Sequence, residues 1–310
     1  MRFESQALRG MFTAVFAIVA TLCCALANAA APSHDSRDKI VISGASGQLG
    51  ELVVRDLLAR GVPASHLILV SRTPEKLDEF AKLGAATRFG DFTKPESLAP
   101  AYAGGTKMLL ISIGFNAGPR PEAHKRAVDA AVAAGIKHIV YTSFVAISKG
   151  DRSGLASDHF QTEEIIKKSG VTWTMLRNSI YANGLVQQAA KMLTEGKAAV
   201  LESDVRIGYV TREDCAAAAA AALSNPGHEN KEYDITGPEL VGPREIAAAA
   251  SAVTGKSIAL TPADPNARRG FGGPSFEVVS GDFAKLTGRP ATSVRALFDT
   301  HRDELLRAGK

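Results

Sequence analysis

From residue 39 onward the chain alternates between short apolar runs and amphipathic stretches. Lys39-Ile40-Val41-Ile42-Ser43 is an unbroken strand-type run, and Leu49, Leu52, Val53, Leu57 and Leu58 follow at helical spacing. Leu67 to Val70 predicts a second strand, and Pro74 to Leu83 a polar helix. Further strands are expected at Lys107–Ile113, His138–Thr142 and Val171–Leu176, with helices at Pro121–Ala134 and Ser157–Ser169. Strands that are apolar along their whole length need cover on both faces, and alternation with helices supplies it. The fold class is therefore α/β, a Rossmann-type doubly wound parallel sheet.

Beyond Leu176 the pattern loosens. Helices fit Val186–Thr194, Arg212–Ser224, Pro243–Thr254 and Val294–Arg307, and short strands fit Arg206–Val210, Glu232–Ile235 and Ser257–Leu260. Residues 262–281, rich in Pro, Gly, Asn and Arg, read as a long irregular loop. The expected organisation is a Rossmann core over about 39–180 and a smaller C-terminal α/β substrate part over about 181–310, with no internal repeat.

The first thirty residues are of another kind. Arg2 and Arg9 precede the uncharged apolar run Met11 to Leu26, and Ala27-Asn28-Ala29 supplies a small-x-small cleavage pattern. The expectation is a signal peptide over 1–29, cut near Ala29/Ala30, with a tether over 30–38 and a periplasmic or secreted mature chain without stable membrane association. An uncleaved membrane anchor is the alternative, although the run is slightly short for one.

Composition narrows the functional classes. The formal net charge of +4 among 310 residues, with no Lys/Arg run, gives no basis for nucleic-acid binding. Cys23 and Cys24 lie inside the expected signal, so Cys215 alone remains and no internal disulfide can form after cleavage. It sits in an Ala-rich helix start and reads as a packing residue. No Cys or His pair has metal-ligand spacing, so no metal is expected.

The candidate chemistry begins at Gly44-Ala45-Ser46-Gly47-Gln48-Leu49-Gly50, which joins the first strand to the first helix. Glycines let the backbone turn sharply and approach a pyrophosphate, whose charge meets free N–H groups at the helix start. A glycine motif alone is weak, but the first βα turn of an alternating chain is its proper context. About twenty residues on, an acidic residue would hold the ribose hydroxyls of NAD. Ser71-Arg72 stands there instead, and a guanidinium can pair with a 2′-phosphate, which favours NADP(H) while leaving NAD(H) allowed. A solvated loop arginine is the plainer reading of Arg72. Asp91, in FGDF after the third strand, reads either as an adenine-side contact or as a helix N-cap.

These residues, together with Tyr141-Thr142-Ser143, the stretch GLASDHFQTEEIIKKSGVTWTMLRNSIYANG from Gly154 to Gly184, and Thr211-Arg212-Glu213-Asp214, resemble the NmrA-like group of atypical short-chain dehydrogenases. The likeness is greatest to the type 2 NAD(P)H:quinone oxidoreductase branch and runs through most of the mature chain. It implies a cofactor site of Gly44, Ala45, Ser46, Gly47, Gln48, Leu49 and Arg72. It also implies that Ser112, Ser143 and the segment Asn178 to Asn183 lie along the nicotinamide end, where Tyr181 could stack and Asn178 and Asn183 could bond the amide. A core aromatic is the alternative for Tyr181.

Short-chain dehydrogenases that reduce ketones use Tyr-x-x-x-Lys, whose ammonium lowers the tyrosine pKa. The corresponding helix here carries His159-Phe-Gln-Thr-Glu163. A quinone needs less, because hydride transfer gives an aromatised hydroquinone anion that solvent or a histidine can protonate. His159 is the candidate donor, or else a helix-face histidine making one hydrogen bond. The implied partner is a small quinone-like electrophile, and a homodimer is compatible with this reading. A non-catalytic NADP(H)-binding sensor is the second reading; a nucleotide-sugar epimerase, which also relies on the missing Tyr and Lys, is the third. The stretch between Gly255 and Gly281 is shorter than the resemblance implies for the quinone-reductase branch.

Overall fold

A computed structural model describes residues 38–114, 119–201, 203–264 and 273–309. The expected signal peptide, nearly all of the tether, and the centre of the 262–281 loop lie outside the described residues.

Seven parallel strands form one sheet: β1 (Ile40–Ser43), β2 (Leu67–Ser71), β3 (Ala86–Phe89), β4 (Lys107–Leu110), β5 (His138–Phe144), β6 (Thr172–Asn178) and β8 (Lys231–Ile235), in the order β3-β2-β1-β4-β5-β6-β8. The order reverses between β1 and β4, and ligands of such sheets bind outside the carboxyl ends of the strands at that switch point. Every residue of β1, β2 and β5 is buried, which accounts for their unbroken apolar runs. The connecting helices are α1 (Gln48–Ala59), α2 (Asp78–Lys82), α3 (Leu98–Tyr102), α4 (Arg120–Ala133) and α5 (Gly154–Lys168).

Two elements beyond residue 180 return to this layer. The helix α7 (Arg212–Ser224) packs on α1 and beneath β4, β5 and β6, and its alanines are buried on every side. A helix buried all round needs small side chains to approach its neighbours closely. Strand β8 then pairs with β6 along Thr174–Asn178. The remainder forms a second cluster: α6 (Leu185–Glu195), α8 (Pro243–Thr254), α10 (Val294–Thr300) and α11 (Arg302–Ala308), with a two-stranded parallel ribbon of β7 (Lys197–Val200) and β9 (Ala259–Pro262).

Several expected elements differ. Arg206–Val210 is not a strand; Ile207 and Val210 make only single bridges, to Val241 and Tyr181. The helix expected over Val294–Arg307 is broken at His301 into α10 and α11. Strand β4 ends at Leu110, three residues early, because the backbone of Ser112 and Ile113 is taken by side chains. The helix α9 (Asp282–Thr287) and strand β7 are too short to show periodicity and were not expected. Cys215 is buried as a packing residue. No helix among the described residues is long and apolar enough to cross a membrane.

Asp214, fully buried at the start of α7, holds the segment that links α9 to α10. Its carboxylate accepts the Thr292 N–H at 2.7 Å and Arg289 Nη2 at 2.7 Å. The Thr211 hydroxyl caps the same turn by accepting the Asp214 N–H.

Candidate dinucleotide site

The loop from Ser43 to Gly50 leaves β1 and enters α1. Gly44 has φ +91°, a left-handed conformation that disfavours any side chain. A Cβ on Gly50 would lie 2.3 Å from Gly44 O, so the third glycine is required by close backbone approach. Gly47 occupies the N-cap position of α1 and offers no side-chain cap. The first N–H groups of α1 are thus left for a ligand, and the helix dipole adds positive potential there.

These groups open onto a cavity of about 640 Å³ at the carboxyl ends of β1 to β4. Gly44, Ser46 and Gly47 form its floor, and Arg72, Thr73 and Lys76 form a cationic rim after β2. Asp91 to Thr93 stand after β3, and Ile111 to Gly114 after β4. The hydroxyls of Ser46 and Ser71 are hydrogen-bonded, and Ser71 Oγ also accepts the Thr73 N–H at 2.9 Å. This fixes the chain that carries Arg72. Arg72 and Lys76 are both exposed, four residues apart across the single turn Pro74–Leu77.

Lys76 and Thr73 were not singled out from the sequence. A second cation one turn after Arg72 was the available signal. Asp91 lines the cavity, and its Oδ1 accepts both the N–H (2.9 Å) and the hydroxyl (2.8 Å) of Thr93. Burial pushes its carboxyl up, but the Thr93 bonds and the nearby charges of Arg72 and Lys94 outweigh that and hold it below its ordinary value. Ala45 and Leu49 face the core, and Gln48 lies in a separate surface depression with Arg55 and Arg212. Those three side chains do not line the cavity. What their positions offer a pyrophosphate is backbone N–H.

The other expected residues cluster where β5 and β6 end. Asn178, the last residue of β6, is 5% exposed, and neither its Oδ1 nor the Ser179 hydroxyl has a hydrogen-bond partner. Buried polar atoms without partners are rare and costly, and here both belong to the segment expected along the nicotinamide end, where Asn178 was the residue expected to bond the carboxamide. The polar groups and the open helix end therefore fit a dinucleotide. Tyr181 stands beside them, partly buried, with the Arg212 guanidinium 4.8 Å from its ring centre. Burial first of all raises its phenol well above the ordinary range, with the Asn178 side chain opposing.

Three expectations need correction. Asn183 does not turn toward this region: its Oδ1 accepts the Arg212 N–H at 2.9 Å and its Nδ2 donates to Glu213, tying the loop to α7. Ser143 is 4% exposed, and its hydroxyl is spent on Glu163 Oε1 at 2.6 Å. Glu163 is fully buried and also takes Arg177 Nε and Nη2 at 2.9 and 2.8 Å, while Arg177 reaches Glu232 as well. His159 is 5% exposed, and its Nδ1 is hydrogen-bonded to the Tyr141 hydroxyl at 2.7 Å. Burial, then the neighbouring Arg120 and His124, hold His159 well below the ordinary imidazole range. It is neutral, closed in, and does not line the cavity, which removes the geometric basis for a proton donor.

A doubly wound sheet with an open glycine turn at its switch point defines a dinucleotide-binding protein. The chain belongs to the NAD(P)H-binding family, whose model matches residues 44–226. It is 36% identical over 219 residues to quinone oxidoreductase 2 of Escherichia coli K12, covering 71% of this chain and 76% of that one. Its fold superposes on the E. coli NADPH-dependent quinone oxidoreductase in complex with NADPH with a TM-score of 0.74 and 31% identity, over 84% of this chain and 99% of the other. It matches the Citrobacter triphenylmethane reductase bound to NADP(H) equally well, with a TM-score of 0.74 and 30% identity, over 88% and 100% of the two chains.

Proposed function

We propose that the protein is an NADPH-dependent oxidoreductase that delivers hydride to a quinone or a similar small conjugated electrophile. The observation that carries the reading is the open α1 N-terminus facing the Arg72 and Lys76 rim across one cavity. It is supported by the NADP(H)-complexed relatives, one a quinone reductase and one a dye reductase.

The backbone N–H groups of Gln48 and Leu49 would bind the pyrophosphate, and Gly44 and Gly50 keep side chains out of its way. Arg72 and Lys76 would pair with the 2′-phosphate, Arg72 through its planar fork and Lys76 as a point charge. Asn178 Oδ1 and the Ser179 hydroxyl would satisfy the carboxamide. When bound, the nicotinamide supplies a hydride. With His159 sealed and Tyr181 raised in pKa, protonation of the reduced product falls to solvent, which suits an acceptor whose anion is stabilised by aromatisation. Positioning rather than proton transfer is the protein's contribution.

NADPH oxidation with small quinones, against a Gly47→Trp control, tests this; turnover no higher than the control would remove the reductase reading. The sealed His159 also favours a second reading, an NADP(H)-binding sensor without turnover. Calorimetric NADPH binding with no turnover across quinones and dyes would select it. Export of the chain is part of the same proposal and rests on residues 1–29; native protein whose mass begins at Met1 in the cytoplasmic fraction would exclude it.

A further inference from the structure

The wall that follows β4 is held from behind. Ser112 donates its N–H to Thr142 Oγ1 at 2.8 Å. At Ile113 both backbone polar groups are taken by side chains from one turn of α4. Its N–H donates to His124 Nε2 at 3.1 Å, and its carbonyl accepts Arg120 Nε and Nη2 at 3.1 and 3.0 Å. Arg120 Nη1 continues to Asp158 Oδ2 at 2.9 Å. Arg120 and His124 stand four residues apart, so they share a helix face, and both are buried.

The hydrogen-bond pattern fixes the histidine's protons. Thr162 donates its hydroxyl to Asp158 O at 2.9 Å, so toward His124 Nδ1, 3.1 Å away, it can only accept. His124 therefore carries its proton on Nδ1 and presents a lone pair on Nε2 to Ile113. Burial and the neighbouring Arg120 lower its pKa to about 3, so this form persists at any working pH.

We propose that Arg120 and His124 are positioning residues for the cofactor: they set the backbone of Ile113, and through it the Ser112–Gly114 wall of the dinucleotide cavity. Neither residue lines that part of the cavity, and neither would touch the reacting atoms. The proposal rests on the dinucleotide reading of the cavity.

The test compares His124→Leu, His124→Gln and Arg120→Lys with the wild type. The measurements are NADPH affinity by calorimetry, cofactor-free Tm, and hydrogen exchange at the Ile113 amide. His124→Leu leaves a buried N–H unpaired and should raise the NADPH Kd about tenfold and speed exchange at Ile113. Glutamine can place its amide oxygen where Nε2 was, so His124→Gln should return the Kd to within about threefold of wild type. Arg120→Lys keeps the charge facing Asp158 but loses the double hold on the carbonyl, and should raise the Kd roughly fivefold. It also serves if the leucine variant does not fold. Lowered Tm with unchanged Kd in all foldable variants would mean ordinary core packing and overturn the proposal. A wild type that binds no NADPH would sink the cavity reading and this inference together; a wild type that binds with variants unaffected would sink this inference alone.

Discussion

At the β1 end of the sheet the cavity is built from backbone: a left-handed Gly44, a Gly50 pressed against Gly44 O, and the uncapped start of α1. At the β6 end of the sheet, outside the cavity lining, the side chains have mostly satisfied one another, Ser143 with Glu163, Glu163 with Arg177, His159 with Tyr141. The first end presents unmet donors to a ligand. The second presents two orphaned atoms, on Asn178 and Ser179, beside groups whose hydrogen bonds and charges are already paired. Such a division suits a cofactor gripped by its phosphates whose reactive ring is placed in a dry, chemically quiet corner. It also separates affinity from chemistry, and each end can be disturbed without the other.

The largest effect is expected at the backbone end. Gly50→Val would force a side chain into Gly44 O, so NADPH binding should vanish from calorimetry and the variant should lose roughly 3 kcal/mol in chemical denaturation. At the saturated end, Arg177→Met strands the buried Glu163 carboxylate. Removing one partner of a buried pair costs about 3 kcal/mol or more. Here denaturant midpoints should shift while any folded protein keeps wild-type NADPH affinity; a lost affinity would mean the two ends are not separable.

Acid should discriminate them next. His124 is depressed to about 3 when folded, whereas an unfolded histidine titrates near 6.5. The unfolded chain therefore binds the extra proton, and stability that is complete above pH 6.5 is lost as pH falls toward 3. The slope approaches about 1.4 kcal/mol per pH unit for this one group. Denaturation of His124→Gln at several pH values should show a shallower slope by that amount; an identical slope would place the proton elsewhere. The smallest effect belongs to the rim. Arg72→Gln should weaken NADPH about fivefold and leave NADH unchanged, as an exposed charge facing a phosphate warrants. Equal weakening of both coenzymes would deny Arg72 its 2′-phosphate.

The same contrast explains what could be read from the residues alone. Gly44, Gly47 and Gly50 announce themselves because backbone constraints have a sequence signature at fixed spacing, and α7 and α8 were bounded correctly because Thr211 caps one and Pro243 opens the other. Arg72 was visible for the same reason, as a fixed offset from a strand end. At the other end the directions of Ser143, His159 and Asn183 differ from those expected. Nothing local tells Ser143 that Glu163 lies twenty residues away on α5, or tells Asn183 that the start of α7 will claim its amide. The Arg120–His124 pair has no such signature, because its contact with Ile113 arises only when α4 packs back on the residues after β4. Arg206–Val210 has strand-like composition, but only single bridges form there, so propensity was overridden by tertiary context.

Asp214 carries a consequence for the order in which the molecule assembles. Its carboxylate is buried at the start of α7, and the two groups that bind it, the Thr292 amide and the Arg289 guanidinium, lie more than seventy residues further along the chain. A nascent chain that stops short of them holds an ion in a place that would exclude water, and such a charge resists burial. The seated start of α7 is therefore disfavoured while those residues are missing. The sheet has its last strand once β8 is made, so what waits for the later residues is the start of α7 and not the strand order.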